Sequence, residues 1–137
     1  HFTETKLEPT IADALSGSAR QIAGTVAAKA MVVFSKSGST ARRIARERPP
    51  VPILAMSPSQ TTSRRMGLMW GVHSVHSRDV SSFEEMVGKA KRMALRHHLA
   101  AGGDRVLIMA GIPFGTAGST NVLHVVRLVG DELDRHS

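Results

Sequence analysis

The sequence predicts an α/β fold: a three-layer α-β-α sandwich around a mostly parallel five-stranded sheet with one antiparallel edge strand. Three observations carry that prediction. Short, continuously apolar, β-rich runs alternate with segments of helical periodicity, the pattern of strands buried on both faces between crossover helices. Proline and glycine punctuate the boundaries between them. The last two strands are separated by too few residues to hold a crossover helix, so they are expected to pair antiparallel.

The elements follow in order. Thr10 is expected to cap a first helix, with Ile11, Ala14, Leu15, Ile22 and Val26 recurring at helical spacing. Ala30 to Phe34 (AMVVF) reads as a buried strand, and a basic helix from about Ala41 to Arg48 is ended by Pro49 and Pro50. Val51 to Met56 reads as a second strand. Pro58 then falls where a first helical turn tolerates proline, in a helix running to about Met69. Gly71 to His76 is the third, shorter strand. Ser81 or Ser82 caps a longer helix with Phe83, Met86, Val87 and Ala90 on one side, which Gly102 and Gly103 are expected to close. Val106 to Ala110 is a strand, Gly111 to Ser119 a loop, and Asn121 to Val129 the last strand.

At 137 residues the chain is expected to form a single domain. Cysteine is absent, which excludes thiol nucleophiles, cysteine zinc sites and disulfides, and is compatible with a reducing, cytoplasmic setting. No apolar run approaches the ~20 residues that span a bilayer, so no membrane partner is expected. The first residues, HFTETKLEPT, lack the basic and apolar character of a secretory signal.

Charge is more informative. Between Lys36 and Arg65 stand Lys36, Arg42, Arg43, Arg46, Arg48, Arg64 and Arg65 against Glu47 alone, which is +6 of the formal +7. Such a concentration attracts anions, although a solvated basic helix gives the same count. Nucleic acid is not the expected partner, because aromatic residues make up only 4% of the chain and no reading motif is present.

In open α/β sheets ligands sit outside the carboxyl ends of the strands. Two loops qualify. Ser35, Lys36, Ser37, Gly38, Ser39 and Thr40 leave one strand and open a helix, with Arg42 close behind. Gly38 permits a turn, hydroxyls and Lys36 supply donors, and the helix start presents N–H groups suited to phosphate. The Walker spacing is missing, and a plain strand-to-helix cap is the competing reading. The second loop, Gly111 to Asn121, contains Gly115, Thr116, Ala117, Gly118, Ser119 and Thr120, a donor-rich segment able to cover a ligand.

Other candidates carry less. His73 and His76 face opposite sides of a strand, so no shared metal is expected. His97 and His98 lie near a helix C-terminus, where positive charge is favourable. Trp70 reads as packing, and Met66, Met69, Met86 and Met93 as core filler.

The segment AMVVFSKSGSTARRIARERPPVPILAMSPSQTTSRRMGLMWGVHSV, followed by GDRVLIMAGIPFGTAGSTNVLHVV, resembles the C-terminal domain of pyruvate kinase. The specific parts are S-x-S-G-x-T-A-R after a strand, R-P-x-x-P-I, the W-G-V strand entry and the G-x-P-F-G-T-x-G-S-T-N loop, which resembles bacterial members most. The resemblance implies an allosteric, effector-binding and subunit-assembly domain of a glycolytic enzyme that transfers phosphate from phosphoenolpyruvate to ADP. In that family catalysis, Mg2+ and K+ belong to a separate barrel, so no cofactor and no phosphoryl transfer are expected of this domain alone. The resemblance also maps Ser35 to Thr40 onto the phosphate loop and Gly115 to Thr120 onto the covering loop. Members activated by fructose bisphosphate carry extra residues between the third strand and the next helix. Here that connection is Ser77 to Ser82, so the expectation is either a sugar monophosphate or nucleotide as effector or the loss of effector binding. A homo-oligomer is expected, through the last strand as a bare sheet edge. The alternative is a free-standing phosphate-ligand-binding protein, or a small enzyme acting on a phosphorylated metabolite with Asp79, Asp104 or His124 as its acid or base.

Overall fold

The computed structural model describes residues 2–111 and 122–129, with side chains from Ile11 onward. The elements run α1 (Phe2–Thr25), β1 (Ala30–Phe34), α2 (Ser39–Arg46), β2 (Ile53–Ser57), α3 (Gln60–Met66), β3 (Val72–His76), α4 (Phe83–Arg96), β4 (Arg105–Ala110) and β5 (Val122–Arg127). They form one five-stranded sheet of order β3-β2-β1-β4-β5. β1, β2, β3 and β4 pair in parallel, and β5 runs antiparallel to β4 with Val126 opposite Val106. The α/β architecture read from the sequence is the one observed.

The continuous apolar strands are explained by burial on both faces. Because successive side chains alternate, Met31, Val33, Ile53, Ala55, Leu107 and Met109 point to one side, where Ala19 and Ala23 of α1, Ala41 and Ile44 of α2 and Met66 of α3 cover them. Ala30, Val32, Leu54, Met56, Val106, Ile108 and Ala110 point to the other, where Met86, Ala90 and Ala94 of α4 pack. The methionine expectation holds: Met66 and Met86 are fully buried, and Met69 and Met93 pack at the core margin.

Helix ends depart from the expectations, each for a local reason. α1 begins at Phe2, so Thr10 lies within the helix and not at its start; Glu4, Lys6 and Glu8 upstream are good helix formers. Pro58 precedes α3, whose N-cap is Ser59, with Ser59 Oγ accepting from the Thr62 N–H at 3.2 Å. α3 also stops at Met66, and Gly67 and Leu68 continue the chain as a turn closed by Gly67 N–H to the Ser63 carbonyl at 3.1 Å.

α4 starts at Ser82, whose hydroxyl accepts from the Glu85 N–H at 3.1 Å, while Glu85 accepts from the Ser81 N–H at 2.6 Å. That backbone donor, ahead of any charge, holds the Glu85 carboxyl below its ordinary value. Gly102 and Gly103 do not close α4. It ends at His97, with His98 at φ 59°, Leu99 N–H reaching the Ala94 carbonyl at 3.0 Å and His98 N–H reaching Leu95 at 3.1 Å. Those are the two bonds of a Schellman ending, formed without glycine. Gly103 serves the next turn, donating to the Leu128 carbonyl at 2.8 Å.

α1 closes the same way. Ala28 N–H reaches Ala23 at 2.9 Å, Ala27 N–H reaches Gly24 at 3.2 Å, and exposed Ala27 stands at φ 54°. A left-handed alanine costs energy that glycine avoids. Ala27→Gly is therefore expected to stabilise the domain by about 0.5–1 kcal/mol in urea denaturation. An unchanged or lower midpoint would refute this.

Candidate functional site

Strand order fixes where a site can form. From β1 the chain proceeds outward to β2 and β3, then crosses back to β4 on the other side of β1. The order therefore reverses between the carboxyl ends of β1 and β4, the place where open α/β sheets form a ligand crevice. The chain segments leaving those two ends begin at Ser35 and Gly111, the two loops singled out above. Gly115, Thr116, Ala117, Gly118, Ser119 and Thr120 lie outside the described residues.

The first loop is tightly organised. Ser35 is buried, and its hydroxyl accepts from the Gly38 N–H at 2.9 Å. Gly38 is the N-cap of α2 at φ 90°, ψ −5°, with no side-chain cap hydrogen bond. A Cβ there would stand 3.4 Å from Thr62 Cγ2 and 3.6 Å from Met66 Cγ. The left-handed backbone is what calls for glycine; a bare Cβ would make ordinary van der Waals contact with α3. Ser37 Oγ donates to Ser39 Oγ at 3.0 Å and accepts from the Ser39 N–H at 3.4 Å. Thr40 is buried, whereas Lys36 and Arg42 are exposed.

Sequence reasoning missed the contribution of β2. Buried Ser57 at its carboxyl end donates through Oγ to the Lys36 carbonyl at 3.4 Å and accepts from the Ser59 N–H at 3.1 Å. The strand's hydroxyl thereby links the β1–α2 loop to the start of α3. A Ser ending an apolar strand was the available signal, matching Ser35 at the end of β1.

The basic residues counted between Lys36 and Arg65 do not all gather at the phosphate loop. Arg43 and Arg46 stand in the last turn of α2, and Arg64 and Arg65 in the last turn of α3. Positive charge in those turns offsets the helix dipole, and Arg65 Nη2 reaches back to donate to Thr62 Oγ1 at 3.3 Å, beside the Gly38 turn. Arg43 Nε also pairs with Asp13 Oδ1 of α1 at 3.2 Å. Arg48 lies over the Trp70 ring, 4.8 Å from its centroid. Trp70 is thus not core packing: it is 65% exposed and stacked by a guanidinium. Of the seven basic residues, Lys36 and Arg42 are those at the start of α2.

The Ser77–Ser82 connection is held down. Lys89 Nζ donates to Ser77 Oγ at 2.9 Å and to the Arg78 carbonyl at 2.6 Å, and Val80 is buried under an Asp79–backbone bond of 2.9 Å. Partial burial holds the Lys89 ammonium below its ordinary value. Asp104 accepts from the Ala101 N–H at 2.9 Å at the start of β4, the edge remote from the crevice. His124 packs edge-on against Phe83 within β5, their centroids 5.0 Å apart. Neither joins the phosphate loop as an acid or base.

Among the described residues no group of three or more His, Cys, Asp or Glu gathers as a metal site. His76 Nε2 lies 3.1 Å from the Pro58 carbonyl, while His73 Nε2 lies 3.0 Å from His97 Nδ1. Burial, then the His73, Arg96 and His98 charges, hold His97 below its ordinary value.

Residues 13–126 match the family described as pyruvate kinase, alpha/beta domain. The chain is 43% identical over 125 residues to a pyruvate kinase of Agrobacterium vitis, covering 91% of this chain and 26% of that protein. It is 37% identical over 128 residues to the pyruvate kinase of Methylorubrum extorquens, covering 93% and 27%. For the Staphylococcus aureus (strain USA300) enzyme the figures are 36% over 130 residues, 94% and 22%. The chain therefore spans about a quarter of the length of the curated relatives it matches. No helix among the described residues is long and apolar enough to cross a membrane. With its strand order reversing at β1, its antiparallel edge strand and its match across residues 13–126, the chain belongs to the pyruvate kinase alpha/beta domain family.

Proposed function

We propose that this domain is the effector-binding and assembly unit of a cytoplasmic pyruvate kinase, taking the phosphate of a sugar monophosphate or nucleotide at Ser35 to Thr40. The parent enzyme would carry phosphate from phosphoenolpyruvate to ADP, and this domain would regulate that step without performing it. One observation carries the reading. The hydroxyl-dense loop after β1, with its left-handed Gly38, opens α2 at the point where strand order reverses. Backbone N–H groups, Ser37, Ser39 and Thr40 would hold the phosphate, Lys36 and Arg42 would supply charge, and Gly115 to Thr120 would close over it. Each charge-assisted hydrogen bond would contribute about 1.5–3 kcal/mol. The pinned Ser77–Ser82 connection favours one phosphate over two.

Calorimetry against a panel of sugar monophosphates and nucleotides tests this, with Ser39→Asp as the diagnostic variant. Ser39 is half-buried in the first turn of α2. A carboxylate there suits the helix dipole but repels phosphate, so folding should persist while binding is lost. Thr40 is too buried for the same purpose, at 2% exposure. If the parent binds none of the panel, or Ser39→Asp binds equally well, the assignment fails.

Assembly would use β5, which is an edge strand. Antiparallel pairing of two such edges gives a two-fold dimer. Sedimentation velocity over a concentration series should show reversible dimerisation. A monomer throughout the series would refute it.

A further inference from the structure

His73 lies on β3, a sheet edge, and His97 is the C-cap residue of α4. Neither is used by the anion-binding reading. His73 sits near the amino end of β3, away from the crevice, opposite Leu54 in a parallel ladder. His97 is fixed by its own N–H to the Met93 carbonyl at 2.9 Å and by the Schellman bonds that follow. Two independently ordered backbone elements therefore bring two imidazoles together, and this anchoring suits a binding site better than mobile loops do.

The geometry is specific. Nε2 of His73 and Nδ1 of His97 are 3.0 Å apart, and the ring centroids are 4.8 Å apart with planes inclined at 61°. Imidazole nitrogens bind transition metals at about 2.0–2.1 Å, so two ligands at right angles stand about 2.9 Å apart and two tetrahedral ligands about 3.3 Å. The observed separation falls close to the right-angled value. Cis positions of that kind belong to square-planar or tetragonal coordination, the preference of Cu2+ and Ni2+.

We infer that His73 and His97 form a two-imidazole site for a divalent transition-metal ion, Cu2+ or Ni2+ ahead of Zn2+, with water completing the coordination. His73 is exposed and His97 only half-buried, leaving solvent access for those waters. A bound ion would clip the end of α4 to the β3 edge and stabilise the fold by mass action.

The test is calorimetric titration of the intact chain with CuCl2, NiCl2 and ZnCl2, repeated on His73→Asn, His97→Asn, His76→Asn and His98→Asn. The expected result is about one equivalent of Cu2+, bound more tightly than Zn2+, and lost in the first two variants but retained in the last two. Copper electron paramagnetic resonance should show coupling to two imidazole nitrogens in the parent and to fewer in either ligand variant, which reads the site independently of any change in stability. No uptake by the parent overturns the inference. So does uptake that survives both ligand variants with an unchanged resonance, which would place the metal at other histidines. A simple hydrogen-bonded imidazole pair gives no stoichiometric binding.

Discussion

Leu107→Ala is expected to cost about 2–5 kcal/mol of folding stability. Leu107 is fully buried on β4, between β1 and β5, and faces the side of the sheet covered by α1, α2 and α3. Its neighbours Met31, Ala19, Ala23 and Met109 are themselves fully or almost fully buried. The small alanines leave helix backbone close to the sheet, so only repacking of Met31 or Met109 could reduce the gap. Domains of this size hold about 5–15 kcal/mol in all, which makes the loss a large share of the total. Urea denaturation checks it, and a cost under about 1 kcal/mol would mean that α1 settles into the cavity.

Gly38→Val should be the most damaging change in the phosphate loop, costing about 1–3 kcal/mol. Two penalties add. The φ of 90° disfavours a β-branched side chain, and with a Cβ already in contact with Thr62 and Met66 at 3.4 and 3.6 Å the γ methyls of valine would crowd α3. Relief would come by moving the start of α2, and that also breaks the Ser35 Oγ bond to the Gly38 N–H. Stability and any anion affinity should therefore fall together, whereas Ser39→Asp removes affinity alone. A Gly38→Val variant with parental stability would show that the loop is not held as described.

Much of this was legible in the sequence because the strands are buried on both faces. AMVVF and VLIMA are too apolar and too short for anything but inner strands, and Ser, Gly and Pro mark their ends. The phosphate-loop candidate was legible for the same reason, since a loop's position follows from strand order. Helix ends were not. Ala27, Arg48 and His98 take left-handed conformations that local preference assigns to glycine, because tertiary packing overrides a cost of about 1–2 kcal/mol. The pairing of His73 with His97, or Arg48 with Trp70, depends on where a helix tail or a turn arrives in space. No periodicity encodes that.

The uneven distances of the arginines from the phosphate loop bear on how ionic strength would act. α2 has eight residues and so is about 12 Å long, while the Debye length at physiological salt is about 8 Å. Arg46, at the far end of α2, is thus screened from an anion held at Gly38. Arg65 is not, because its Nη2 donates to Thr62 Oγ1 at 3.3 Å and Thr62 packs against Gly38. The field of the distant arginines would draw anions toward the domain at low salt but hold none in place. A phosphate seated there would owe its residence to amides, hydroxyls and the nearby cations, and would tolerate salt that abolishes the long-range attraction.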